Sequence, residues 1–160
     1  MKRIIYFIIL CFATGYCYHA NGTVTLPQFF ADNMVMQRGK PIPVWGKAAV
    51  GETVHISFNH KRYSTVADDN GKWRIDLPKM KAGGPYTMQV GDKTIKDILI
   101  GDVWLCSGQS NIDVTVDRVS PVYLKEVTTY ENNRIRLFRV QNDANTHSVQ
   151  DDVKATSWNL

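Results

Sequence analysis

The chain has 160 residues, with 19 Lys and Arg against 15 Asp and Glu, a formal net charge of +4. That length buries one ordinary core, or a small domain with part of a second, and excludes two full domains. The basic residues are scattered and two of them, Lys2 and Arg3, sit at the start, so no nucleic-acid-binding face is implied. Of three cysteines, Cys11 and Cys17 fall in or beside the first apolar run and Cys106 lies far from both, which supports neither a disulfide framework nor a metal cluster.

Residues 1–20 have the form of a secretory signal: Lys2 and Arg3, an apolar run from Ile4 to Phe12, then small Ala13 and Gly15. The run is too short for a stable membrane span. Cleavage is expected after Gly15, with Cys17 as the second choice, giving a secreted or periplasmic protein. Asn21-Gly22-Thr23 fits a glycosylation sequon.

From Thr23 to about Ile100 the pattern is short strands between turn clusters. Val54, Ile56 and Phe58 alternate with Thr53, His55 and Ser57; Trp73, Ile75 and Leu77 alternate with Lys72, Arg74 and Asp76; Tyr86, Met88 and Val90 repeat the period. Asn59-His60 and Asp68-Asp69-Asn70-Gly71 read as turns. Strands at this spacing without a helical stretch predict an antiparallel, all-β sandwich over residues 21–98. His55 and His60 are expected to face solvent.

Gly101-Asp102-Val103-Trp104-Leu105-Cys106-Ser107-Gly108-Gln109-Ser110-Asn111 then stands apart. Its apolar part, Val103 to Cys106, reads as a strand buried on both faces, with Cys106 a packed, inert thiol. Small and polar residues follow at the strand's carboxyl end, where open α/β sheets bind ligands. Gly108 permits a tight turn, and Ser110 is presented with its hydroxyl and N–H toward a bound carbonyl, an arrangement suited to acyl transfer. The bland alternative is a Ser that only caps a turn. Asn111 and Ile112 exclude the Gly-x-Ser-x-Gly elbow.

This block resembles the first block of the sialate O-acetylesterase family, serine esterases of the SGNH-hydrolase type. The resemblance extends upstream through Leu26-Pro27, Asp32-Asn33-Met34-Val35-Met36-Gln37-Arg38, Pro43-Val44-Trp45-Gly46, Gly51-Glu52-Thr53-Val54 and Gly71-Lys72-Trp73, which are similar to the β-sandwich preceding the family's catalytic domain. It implies Ser110 as nucleophile, Gly108, Gln109 and Asn111 as oxyanion or substrate-binding residues, an O-acetylated sugar as substrate, and no metal or other cofactor. Acetylated xylan is an alternative substrate to sialic acid. The family has Met and Glu after the block; here Ile112 and Asp113 stand there.

Residues 99–160 are expected to open an α/β domain: the Val103–Cys106 strand, a helix over Pro121 to Tyr130, and a strand through Ile135, Leu137, Phe138 and Val140 form one βαβ unit, followed by polar loop to Thr156. A serine needs a positioned base. His147 is the only His in this region. The resemblance places the catalytic His and Asp beyond Leu160, so the chain reads as the first part of a longer esterase, inactive alone. The competing reading is a non-catalytic β-sandwich that binds glycans or a partner.

Overall fold

Alternation in the sequence becomes a buried and a wet face in the structure. The computed structural model describes residues 24–129, 131–141 and 148–159. The expected signal, the sequon and His147 lie outside them. Strands β1 (Val35–Gln37), β2 (Ile42–Lys47), β3 (Thr53–Phe58), β4 (Lys61–Val66), β5 (Lys72–Leu77), β6 (Gly83–Val90) and β7 (Lys93–Gly101) follow in order. Five make one sheet, ordered β1-β7-β6-β3-β4, and β2 pairs with β5 in a second ladder. Val54, Ile56 and Phe58 of β3 are buried, as are Met88 and Val90 of β6 and Ile95, Ile98 and Ile100 of β7. They share one apolar cluster with Ile42 and Val44 of β2 and Trp73 and Leu77 of β5, so both ladders contribute to a single core.

Local chemistry fixes the turns. Asn59 and His60 both take positive φ (48° and 60°), the conformation of a two-residue hairpin whose twist suits its strands. In the β4–β5 turn, the Asp68 carboxylate accepts the N–H groups of Asn70 and Lys72, each at 2.8 Å. Gly46 is demanded by space: a Cβ there would lie 2.2 Å from the Thr25 carbonyl oxygen and 2.9 Å from the Trp73 ring.

The mostly-β class holds, but the sheet is mixed where an antiparallel one was expected. β1 runs parallel to β7, with Val35 opposite Leu99 and Gln37 opposite Gly101. A three-residue strand carries too little periodic signal to announce its direction, and the long chain between β1 and β7 permits parallel pairing. β7 itself is irregular. Its register with β6 passes from Ile95 opposite Met88 to Ile98 opposite Tyr86, leaving Lys96 and Asp97 as a bulge. The Asp32 carboxylate accepts the Lys96 N–H at 2.7 Å, and the Asn33 N–H donates to the Lys96 carbonyl at 3.1 Å. The Asp32–Arg38 block therefore lies along β7 from its bulge to its end.

After Gly101 the expected βαβ unit is not formed among the described residues. Val103 to Cys106 belongs to no ladder. Trp104 is 84% and Leu105 95% exposed, and Cys106 is an exposed free thiol, the reverse of the buried strand and packed cysteine that were expected. A strand exists only by exchanging backbone hydrogen bonds with a neighbour, and among the described residues none runs beside this one. Helix α1 spans Val116–Thr129, beginning five residues before the expected Pro121 and interrupted by non-helical angles at Tyr123. Pro121 inside it removes one backbone donor and crowds the preceding turn. Strand β8 (Leu137–Val140) falls where expected but pairs antiparallel with β9 (Ala155–Asn159), a segment read from sequence as polar loop to Thr156 and given no element after it.

The β8–β9 hairpin packs back on the β sheets. The Trp158 indole N–H donates to the Phe29 carbonyl at 2.8 Å, and its ring lies 5.0 Å from Phe138. Arg136, with its side chain 5% exposed, donates Nη2 to the Asp97 carboxylate at 3.0 Å and Nη1 to the Asp97 carbonyl. Lys47 pairs with Asp151 at 2.7 Å, and Asp152 accepts the Gln28 N–H at 2.9 Å.

Candidate active site

β7 ends at Gly101, and the chain leaves the sheet beside the end of β1. The Arg38 N–H donates to the Gly101 carbonyl at 2.8 Å. The Arg38 guanidinium then forks onto the next residue, Nε to Asp102 Oδ1 at 2.8 Å and Nη2 to Oδ2 at 2.9 Å. Gln37 Oε1 accepts the Val103 N–H at 2.9 Å. The hydrogen bond and then the charge of Arg38 hold the Asp102 carboxyl below its ordinary range, while Asp102 raises Arg38. Asp102 is thus committed as an acceptor for Arg38.

Seven residues past Val103, Ser110 opens a 3-10 turn, Ser110–Asp113. Gln109, extended at φ −92° and ψ −160°, precedes it without a side-chain cap, and its carbonyl accepts the Ile112 N–H at 3.0 Å. The first N–H groups of such a turn have no partner inside it, so those of Ser110 and Asn111 are presented at its start. Gly108, Gln109, Ser110 and Asn111 are all exposed. The four residues singled out from sequence therefore lie together on one accessible loop. The bend does not itself need glycine: a Cβ on Gly108 would meet only Ile112 Cβ at 3.8 Å, an ordinary contact.

The Ser110 hydroxyl forms no hydrogen bond among the described residues. His55 lies on β3 and His60 in the β3–β4 turn, both exposed as expected, on the far side of the sheet order from β1 and β7. No group of His, Cys, Asp and Glu among the described residues is arranged to hold a metal ion. No helix among them is long and apolar enough to cross a membrane.

Exposed apolar side chains follow the loop along the chain, including Ile112, Val122 and Leu124 at 54%, 76% and 63% exposure. Two cavities lie elsewhere. One of about 480 Å³ is bounded by Leu26, Phe30, Asp32 and Lys93. The other, about 530 Å³, runs past Trp45, Lys47, Arg74 and Asp151. Sequence reasoning missed the Gln37–Arg38–Asp102 connection. Its one signal was that both partners fall inside blocks already singled out.

No family model matches the chain. It is 31% identical over 124 residues to sialate O-acetylesterases of Rattus norvegicus and of Homo sapiens, covering 66% and 67% of this chain but 23% and 24% of theirs. A crystal structure of a carbohydrate acetylesterase from Xanthomonas citri superposes with a TM-score of 0.78 at 34% identity, over 86% of this chain and 32% of that one. The chain spans about a quarter of the length of the curated relatives it matches. Curated relatives and a solved structure that share the name acetylesterase and match most of this chain lead to one assignment: the chain belongs, over the matched part, to the sialate O-acetylesterase family.

Proposed function

We propose that this chain supplies the nucleophile of a secreted carbohydrate O-acetylesterase acting on acetyl esters of sialic acids, with acetylated xylan as the alternative substrate. The observation that carries the reading is Ser110 itself: exposed, opening a helical turn, its hydroxyl uncommitted, inside the block that marks the family. Ser110 Oγ attacks the acetyl carbonyl and gives its proton to a base. The carbonyl oxygen gains the charge, which the Ser110 N–H is placed to receive, with Gln109 and Asn111 ordering the loop or touching the sugar. Collapse releases the sugar hydroxyl, and water then hydrolyses the acetyl-serine. No metal or other cofactor enters this scheme.

The base is assigned to the His that the family resemblance expects, with its Asp, beyond Leu160. In this reading residues 21–98 form a β-sandwich, residues 99–160 begin an SGNH-type esterase domain, residues 1–20 direct secretion, and the 160-residue chain alone does not turn over. The test is a chimera in which this chain replaces the matching part of the Xanthomonas citri acetylesterase. Release of acetate from O-acetylated sialic acid, abolished by Ser110→Ala, is expected; a folded chimera whose activity survives that change would overturn the assignment. The second reading, a non-catalytic module that binds a glycan or partner, draws on the 530 Å³ groove beside Trp45. It requires glycan binding by the 160-residue chain that Ser110→Ala leaves intact and Trp45→Ala removes.

A further inference from the structure

The upstream family-like block from Asp32 to Arg38 has so far been given no part in the chemistry. We propose that Gln37 and Arg38 are positioning residues for the Ser110 loop, fixing the direction in which the chain leaves the sheet. The consequence for turnover rests on Ser110 being the nucleophile; the mechanical claim does not.

Between Gly101, the last ladder residue, and Gln109, whose carbonyl closes the 3-10 turn, the backbone pairs with no strand. Packing does not hold it either, because Trp104 and Leu105 are almost fully exposed. Among the described residues, the hydrogen bonds that reach residues 102–108 all come from the end of β1. They are the two arms of the Arg38 fork on Asp102 and the Gln37 acceptor for the Val103 N–H. The Arg38 N–H on the Gly101 carbonyl closes the same clamp. Gln37 Nε2 in turn donates to the Arg38 carbonyl at 3.1 Å, setting which end of its amide faces Val103. Three successive residues, 101 to 103, are thereby held from one side.

The charges argue for orientation over stability. Both side chains of the pair are about half exposed, 52% and 49%, a setting in which ion pairs add little to folding. What a two-pronged fork does add is angular definition, since both carboxylate oxygens must align with Nε and Nη2. Lysine preserves the charge but not that geometry. The register does the rest: parallel pairing of Gln37 with Gly101 puts the two clamp side chains at the point where the ladder stops.

The test is ¹⁵N relaxation on the 160-residue chain, comparing wild type with Arg38→Ala, Arg38→Lys and Gln37→Ala. Rigid backbone gives order parameters near 0.85 and flexible backbone below about 0.6. The expected result is rigid values at residues 102–104 in wild type. These fall, together with those up to Ser110, in Arg38→Ala and in Arg38→Lys alike, with a smaller fall in Gln37→Ala and unchanged amide shifts in β3 to β6. Order unchanged in the Arg38 variants would overturn the proposal, as would its full retention in Arg38→Lys. Loss of order through the whole sheet would do so too, by making Arg38 a general fold residue. Ser110→Ala in the 160-residue chain leaves these values untouched, so loss of acetate release by the chimera on that change and loss of loop order on the others fail separately.

Discussion

The Arg136–Asp97 pair gives the sharpest energetic prediction, because its partners are buried so unequally. The Arg136 side chain is 5% exposed and that of Asp97 40%. Removing the more exposed partner strands a guanidinium out of water, whereas removing the more buried one leaves a carboxylate that water reaches. Asp97→Asn keeps the side-chain shape and tolerates the left-handed backbone there, φ 55°. It therefore isolates the charge. Hydrogen bonds to charged groups contribute about 1.5–3 kcal/mol, and with the Asp97 carbonyl still accepting from Arg136, the cost of Asp97→Asn is expected within that range. Arg136→Met keeps the stem and removes the charge with its desolvation, so its cost is expected to be about 1 kcal/mol or less. The double variant should resemble Arg136→Met. Urea midpoints at constant m-value measure all three, and amide exchange at Trp158 reports whether the hairpin has undocked instead. Arg136→Met costing more than Asp97→Asn would refute the reasoning.

Three further outcomes follow from local geometry. Gly46→Ala drives a methyl into the Thr25 carbonyl and the Trp73 ring, and relief by moving Thr25 breaks both 2.8 Å hydrogen bonds of the Thr25–Lys47 bridge; overpacking and two lost bonds together predict about 2–4 kcal/mol in thermal or urea unfolding. The Asp102 carboxyl is depressed in the fold by Arg38, so its clamp contributes fully above the ordinary aspartate value of about 3.9 and is lost as pH falls through a value below it. Exchange of the Val103 amide should accordingly stay slow from pH 7 to 5 and accelerate, beyond the intrinsic trend, only in stronger acid. Trp104→Ser and Leu105→Ser, at exposed positions without ladder bonds, should shift stability by no more than about 0.5 kcal/mol; a larger loss in urea unfolding would show that the run is packed.

The β portion was readable because each strand states its own periodicity. Val54, Ile56 and Phe58 are buried and His55 exposed, as alternation requires, and Asp68 to Gly71 turns as its side-chain chemistry dictates. What escaped depends on partners distant in sequence. Val103 to Cys106 looks like a buried strand by composition, yet burial is a property of neighbours, and the described neighbours do not cover it. Ser157-Trp158-Asn159 is too short to declare itself a strand; pairing with Leu137 and Phe138 and the Trp158 bond to Phe29 make it one. Arg38 and Asp102 are 64 residues apart, and no local pattern joins them. The exposure of Ser110 was legible from the polar residues around it, whereas its tether to β1 was not.

The most direct test of the central claim is acetate release from O-acetylated sialic acid by the chimera carrying this chain, with serine or alanine at position 110. The account predicts turnover with Ser110 and a loss of at least about a thousandfold without it, at unchanged fold stability. Equal rates from two folded proteins would show that the hydroxyl takes no part in the reaction.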